Sequence, residues 1–229
     1  MNPTSMSRER LWAQVVIRMI LFVPLMVAIV FWPAGTLAFW EGWVYLAVLY
    51  LPALYMMGWL LKHSPALLER RMNLRERTGG QPGIVIVSGV VMIAAFMLPG
   101  LDHRLQWSDV PTALVIAADL IVLASYGLVM WVMRTNQYAS RVVEVSAAQT
   151  VINTGPYAVV RHPMYVGVIG MILATPLALG SFWALLPALG IVPALMARIV
   201  GEEAVLRREL AGYSAYVEQV RYRLIPGVW

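Results

Sequence analysis

Between Thr154 and Gly167 the chain reads TGPYAVVRHPMYVG, a polar and turn-rich stretch set between two hydrophobic blocks. Its residue types and spacing suit capture of a small charged ligand. Pro156 has a preset φ and no N–H, which predicts a short helix capped by Thr154 or Gly155. Pro163 repeats the pattern. His162, as the residue before a proline, is pushed towards extended backbone, so one short helix should end near Arg161 and another should start at Pro163. That second helix is expected to leave the N–H groups of Met164 and Tyr165 unpaired, at the positive end of the helix dipole and with His162 at the mouth. Such a helix start suits a carboxylate or a phosphate. Gly167, one turn in, lets either a ligand or a neighbouring helix approach the backbone. The same Gly, Pro, Arg and Tyr also suit a membrane-boundary loop, with Arg161 and His162 solvated or snorkelling to headgroups.

Further chemistry lies near the C terminus. Arg198, Glu202, Glu203, Arg207, Arg208 and Glu209 fall in an amphipathic helical pattern that reaches Gly212. Adjacent glutamates point about 100° apart on a helix, so one of Glu202 and Glu203 is expected to face a given ligand. Ordinary pairs four residues apart, Arg198 with Glu202 and Glu203 with Arg207, account for the same residues without a ligand. After Tyr213 and Tyr216 the chain reads VRYRLIPGVW to Trp229, a segment that suits a membrane-surface anchor or a cover over a ligand.

Composition narrows the class. Of 229 residues 60% are hydrophobic and 13% charged, with a mean hydropathy of +0.72, against roughly 25% charged in soluble domains. The chain reads as an integral membrane protein of about six hydrophobic helices. It contains no cysteine, which excludes disulfides, thiolate nucleophiles and Cys-ligated metals. His63, His103 and His162 lack the spacing of a metal site. The net charge of +5 is spread between apolar segments, which points to membrane orientation rather than nucleic acid.

These elements must position the motif. The first span is expected over 15–32, with Arg18 snorkelling, and the second over 43–61, with Trp40, Trp43 and Tyr45 as an aromatic belt. A basic loop with an interfacial helix over 64–77 and a Gly-Gly-Gln-Pro-Gly break leads to a third span over 84–98. At 15 residues that span is short, so the helix should run into its flanks. The fourth covers 111–133 and contains Asp119, a functional candidate because of its depth in the span. A mixed polar segment over 134–153, with Tyr138, Arg141 and Glu144, leads into the motif. Residues 164–199 read as a helical hairpin of two spans, kinked or shortened by Pro176, Pro187 and Pro193. With the N terminus inside, every one of the 17 lysines and arginines except Arg104 falls on or next to the cytoplasmic side. The site would then face the cytoplasm.

Taken in order, GPYxxxRHPxYxG at 155–167, an apolar hairpin, EExxL at 202–206, GYxxY at 212–216 and the closing RYRLIPGVW resemble the isoprenylcysteine carboxyl methyltransferase family of membrane methyltransferases, to which phospholipid N-methyltransferases are related. The resemblance covers about residues 138–229, as a cofactor-binding region integrated with N-terminal helices over 1–137. It implies an all-α polytopic membrane protein, with a C-terminal hairpin followed by a cytoplasmic amphipathic helix and tail. It also implies S-adenosyl-L-methionine bound at the cytoplasmic side. Carried over by position, Tyr157, His162, Tyr165 and Gly167 line the methionine end, Glu202 or Glu203 meets the cofactor's amine or hydroxyls, and Leu224 to Pro226 helps cover the adenine. Sterol-type NADPH-dependent double-bond reductases resemble the same region, but they favour Asn in the RHPxY slot and an acid after the glycine. Here Met164 and Val168 stand at those positions. A non-catalytic membrane scaffold would keep the fold alone.

Methyl transfer from a sulfonium asks chiefly for positioning and exclusion of water. The acceptor is expected to be lipophilic, reached from the bilayer. A carboxylate acceptor needs no general base, only a cation to orient it, for which Arg198, Arg221 and Arg223 are the candidates. No metal and no nucleic acid is called for.

Overall fold

A computed structural model describes residues 8–72, 82–139 and 149–229, and among these the chain is helical with no strand. Four long helices, α1 (Arg8–Ala34), α2 (Trp40–His63), α4 (Pro82–Leu105) and α5 (Thr112–Thr135), pack with the hairpin α6 (Pro163–Ala178) and α7 (Leu185–Glu209). Two short helices, α3 (Pro65–Met72) and α8 (Tyr213–Gln219), sit at one end of the bundle. The helices α1, α2, α5 and α7 are each long and apolar enough to cross a membrane. As its sequence requires, α4 runs beyond its apolar centre into both flanks, and its 24 residues span about 36 Å.

Small residues decide how closely these helices approach, as expected where apolar side chains gain nothing by leaving lipid. A Cβ on Gly100 of α4 would lie 2.6 Å from the Val30 carbonyl oxygen and 2.9 Å from the Ala34 nitrogen of α1. On α6, one at Gly167 would lie 2.8 Å from Val129 Cγ2 and 3.1 Å from the Ser125 carbonyl oxygen, and one at Gly170 would lie 2.6 Å from Ser125 Oγ. The α5–α6 seam, the most extensive among the described residues, therefore closes on two glycines one turn apart.

The two ends of the bundle differ in chemistry. At one end Asp102 is buried and accepts from the Ser108 N–H and hydroxyl, each at 2.7 Å, and from the Ser181 hydroxyl, tying α4 to the turn between α6 and α7. At the other, Leu67, Leu68 and Met72 of α3 pack on Leu11, Val15 and Leu60, and Arg18 donates to the Met72 carbonyl at 3.1 Å. Arg104 lies at the first end, beside Gly35; the other basic side chains that the structure describes lie at or near the second. Gly79, Gln81, Arg75, Arg77, Arg141 and Glu144 fall outside the described residues.

Two expectations are corrected, for Tyr45 and for the stretch over 198–209. Tyr45 does not join an aromatic belt: it is buried, and its hydroxyl lies 2.7 Å from Thr175 Oγ1, because a phenol inside the bundle must find a polar partner. Trp40 and Trp43 do remain exposed. The amphipathic stretch over 198–209 is not a separate helix, since α7 continues unbroken to Glu209 and the bend comes only at Leu210. Asp119 is buried in the half of the bundle away from the motif, and neither of its oxygens has a hydrogen-bond partner among the described residues.

The glycine seams predict graded costs. Gly100→Ala meets backbone on two sides and should destabilise by about 1–3 kcal/mol, read as a lowered melting temperature in detergent. Gly170→Ala meets only a rotatable hydroxyl, so it should cost less and recover on adding Ser125→Ala. Equal losses at both glycines, with no recovery, would contradict the packing described.

Candidate functional site

The motif loop has the local structure that its prolines dictate. Thr154 is extended, Gly155 takes φ +58, and a 3-10 turn covers Gly155–Ala158 with Pro156 in its first turn. His162 stands outside the helix at φ −125, and α6 starts at Pro163. Because that backbone is extended rather than helical, its N–H groups face outwards: Arg161 donates to the Tyr222 carbonyl and His162 to the Arg223 carbonyl, both at 2.9 Å. The loop and the C-terminal tail thus run side by side.

Glu203 joins them to α7. Its carboxylate is 3% exposed and accepts from Arg161 Nε at 2.7 Å and from Arg223 Nε at 3.0 Å, with His162 Nε2 at 3.2 Å. Arg161 also donates through one terminal nitrogen to the Val220 and Arg221 carbonyls, each at 2.7 Å. Two arginines against one carboxylate leave this buried cluster with a positive charge, before any proton on His162. An anionic group is the natural complement of such a cluster.

Glu202 points elsewhere, as adjacent helical residues must. Its Oε2 accepts from the Tyr165 hydroxyl at 2.8 Å, and the same hydroxyl accepts from Arg198 Nε at 3.1 Å. Arg198 lies one turn before Glu202 on α7, towards the middle of the bundle. The line therefore runs from a cation at depth, through a phenol, to a carboxylate nearer the helix end. The rings of His162 and Tyr165 meet edge to face at 5.8 Å, which places this line next to the Glu203 cluster.

Tyrosines complete the floor. Tyr157 accepts at its hydroxyl from Asn136 at 2.9 Å and at its carbonyl from the Tyr216 hydroxyl at 2.8 Å. Burial pushes the Tyr157 hydroxyl up to about 12 against the Asn136 bond, so it stays a neutral phenol. Burial likewise pushes Tyr213 and Tyr216 up. The Tyr213 hydroxyl is buried with no hydrogen-bond partner among the described residues, an orphan that a bound polar group would satisfy.

The predicted residues are brought together unequally. Tyr157, His162, Tyr165, Glu202, Glu203 and Arg198 converge at one end of the bundle. Arg223 is spent on Glu203 and stacks on Trp229 at 5.0 Å, while Arg221 is exposed and contributes its carbonyl. Leu224 is buried and Pro226 exposed, in a tail closed by bonds from the Arg223 and Leu224 N–H groups to the Trp229 carbonyl, at 2.8 and 3.0 Å. Of the two approaches open at Gly167, the structure shows the helix's, since Val129 and Ser125 of α5 fill that space. The expected pair of unpaired N–H groups is also corrected, because Tyr165 N–H bonds the His162 carbonyl at 3.0 Å. Sequence reasoning missed Arg161 as the hub's main donor, Asn136 beneath Tyr157, and Arg71, which donates to the Ala139 carbonyl at 2.8 Å. For Arg161 a signal existed: an arginine within a polar motif, with two glutamates available downstream.

Residues 113–211 match the family model described as phospholipid methyltransferase. The matched stretch starts in α5, takes in the motif loop, the hairpin and both glutamates, and ends before Tyr213. It supports a membrane methyltransferase. Comparison with curated proteins found no match.

The two glutamates should separate experimentally. Glu203→Gln leaves the buried Arg161 and the half-buried Arg223 uncompensated, a change on the scale of about 3–5 kcal/mol, and should lower the melting temperature and speed tryptic cleavage at Arg221 and Arg223. Glu202→Gln should cost about 1 kcal/mol or less and leave the tail protected. Equal tryptic rates in the two variants would contradict the hub.

Proposed function

We propose that this chain is an S-adenosyl-L-methionine-dependent methyltransferase that acts on the carboxylate of a lipophilic, isoprenylcysteine-like acceptor at the cytoplasmic side of a membrane. The observation that carries the reading is the order of charges along α7, Arg198 at depth and Glu202 towards the helix end, bridged by the Tyr165 hydroxyl of α6 and beside the net-positive Glu203 cluster. The amino-acid end of the cofactor, reaching the site from water, presents one ammonium and one carboxylate. Glu202 suits the first and the His162 side of the cluster the second, while the orphan Tyr213 hydroxyl can serve a further polar group. The residues present therefore fit the cofactor, with Tyr157 and Tyr165 lining it and Leu224 and Pro226 covering its far end.

When bound, the cofactor supplies a methyl carbon on a cationic sulfur, to which the acceptor oxygen bonds as the carbon–sulfur bond breaks. The chain's own contribution is placement. An acceptor arriving within the bilayer meets Arg198 before Glu202, because Arg198 lies about 6 Å deeper along the helix. A guanidinium there can hold the acceptor's carboxylate in one orientation, and Tyr165 keeps that guanidinium in register. The buried loop residues Val160, Arg161 and His162, with Leu224 of the tail, help keep water from the reacting atoms.

A second reading, methylation of a phospholipid amine, has a specific observation in its favour, the description of the matching family. The two products are chemically distinct. A methyl ester releases methanol in base, whereas an N-methyl group does not. Radiolabelled methyl from the cofactor should enter a base-labile lipid product, with turnover nearly flat from about pH 6 to 9, since an acid of pKa near ~4 is ionised throughout. Arg198→Lys should reduce turnover about tenfold or more while cofactor binding changes less, because a planar clamp becomes a point charge. A base-stable product, with turnover rising through a basic pKa and indifferent to Arg198, would establish the amine reading instead.

The orientation is testable in a chain that has no cysteine. Ser214→Cys, exposed on α8, should label only from the cytoplasmic face, and Asp109→Cys, exposed at the opposite end, only from the other. The reverse pattern would overturn the assignment.

A further inference from the structure

At the end of the bundle that carries the motif loop, α2 and α5 share a second cluster, apart from the Glu203 hub and the Arg198 line. Tyr55, Trp59 and His63 recur every four residues and so form one stripe along the last turns of α2. Arg134, in the last turn of α5, stands 5.1 Å from the centre of the Trp59 ring and donates to the Tyr55 hydroxyl at 3.2 Å. The His63 ring stacks on Trp59 at 4.9 Å with 19° between planes. Arg134, Tyr55, Lys62 and His63 are all exposed.

The cluster is cationic and unbalanced. Neither the stretch 55–63 nor the stretch 128–135 contains an acidic residue, and among the described residues Arg134 forms no ion pair. A guanidinium offers five donors in a planar fork matched to phosphate oxygens. Here it is held by a phenol and an indole face, both neutral, which fix its position and leave its charge uncompensated. Tyr and Trp at a helix end mark headgroup depth. One turn deeper on the same stripe, Leu51 is 65% exposed, and on α5 Trp131 beside Arg134 is 53% exposed. Apolar surface thus runs on towards the bilayer centre where an acyl chain would lie.

We infer that this cluster binds the phosphate of a bilayer phospholipid, with Arg134 as the anion-binding group, Trp59 and Tyr55 as its support and Lys62 adding charge. The inference does not depend on methyl transfer. It assigns a phosphate site to the outer side of α5, two residues from Asn136, whose amide carries Tyr157.

The test is native mass spectrometry of the detergent-solubilised chain titrated with phosphatidylglycerol. Wild type should retain one lipid tightly, Arg134→Gln should weaken that binding about tenfold or more, Arg134→Lys should weaken it less, and Arg104→Gln, at the opposite end, should leave it unchanged. Diacylglycerol with the same acyl chains should bind at least tenfold more weakly, and millimolar inorganic phosphate should not displace the lipid. The inference is overturned by wild-type affinity in Arg134→Gln, by equal binding of diacylglycerol, or by displacement with inorganic phosphate, which would mark a free-anion site. Should Arg134→Gln fail to fold, the comparison of phosphatidylglycerol with diacylglycerol on the wild-type chain decides the question alone.

Discussion

A single buried carboxylate organises the functional end of this molecule. Glu203 accepts from Arg161 and Arg223, with His162 in reach, and so joins the motif loop, the tail and α7 at one point. A charge so far removed from water persists only when donors surround it, and each donor here comes from a different place in the chain or carries a different bond. Arg161 makes the arrangement cooperative, because the guanidinium that grips Glu203 also grips the carbonyls of Val220 and Arg221. Loss of the carboxylate would free the tail as well as two cations. The position of everything nearby, including Tyr165 and Glu202, follows from this joint.

The hub also divides labour between two adjacent glutamates. Glu203 is committed to structure, and Glu202, turned about 100° away, is committed to Tyr165 and the line that leads to Arg198. A zwitterion placed between the positive cluster and Glu202 would meet complementary charge at both ends. The bundle beneath contributes rigidity, through α5 and α6 closing on Gly167 and Gly170. That contact fixes the start of α6, and with it His162 and Tyr165, against the end of α5 that bears Asn136.

Much of this was legible in the sequence, for identifiable reasons. Hydrophobic run length marked the helices, because lipid imposes one length on every span, and Pro163 marked the start of α6, because it restricts the residue before it. The tendency of adjacent glutamates to diverge was also legible, though not which one faces inwards. What escaped depends on contacts between distant segments. Arg161 looked like a boundary arginine because its carboxylate lies 42 residues away. Gly167 looked equally suited to a ligand or a helix until α5 was seen to occupy the space. Tyr45 looked like a belt residue because its partner, Thr175, lies 130 positions on. The separate amphipathic helix expected beyond the hairpin failed for a different reason: amphipathic character changes along a helix that itself continues to Glu209.

Cofactor binding tests the central claim most directly. Isothermal titration of the purified chain in detergent with S-adenosylhomocysteine should show saturable binding, weakened about tenfold or more in Glu202→Ala, on the scale of a lost charge-assisted hydrogen bond, with the melting temperature of the protein little changed. Absence of binding to the folded wild-type chain, or binding indifferent to Glu202, would contradict the account.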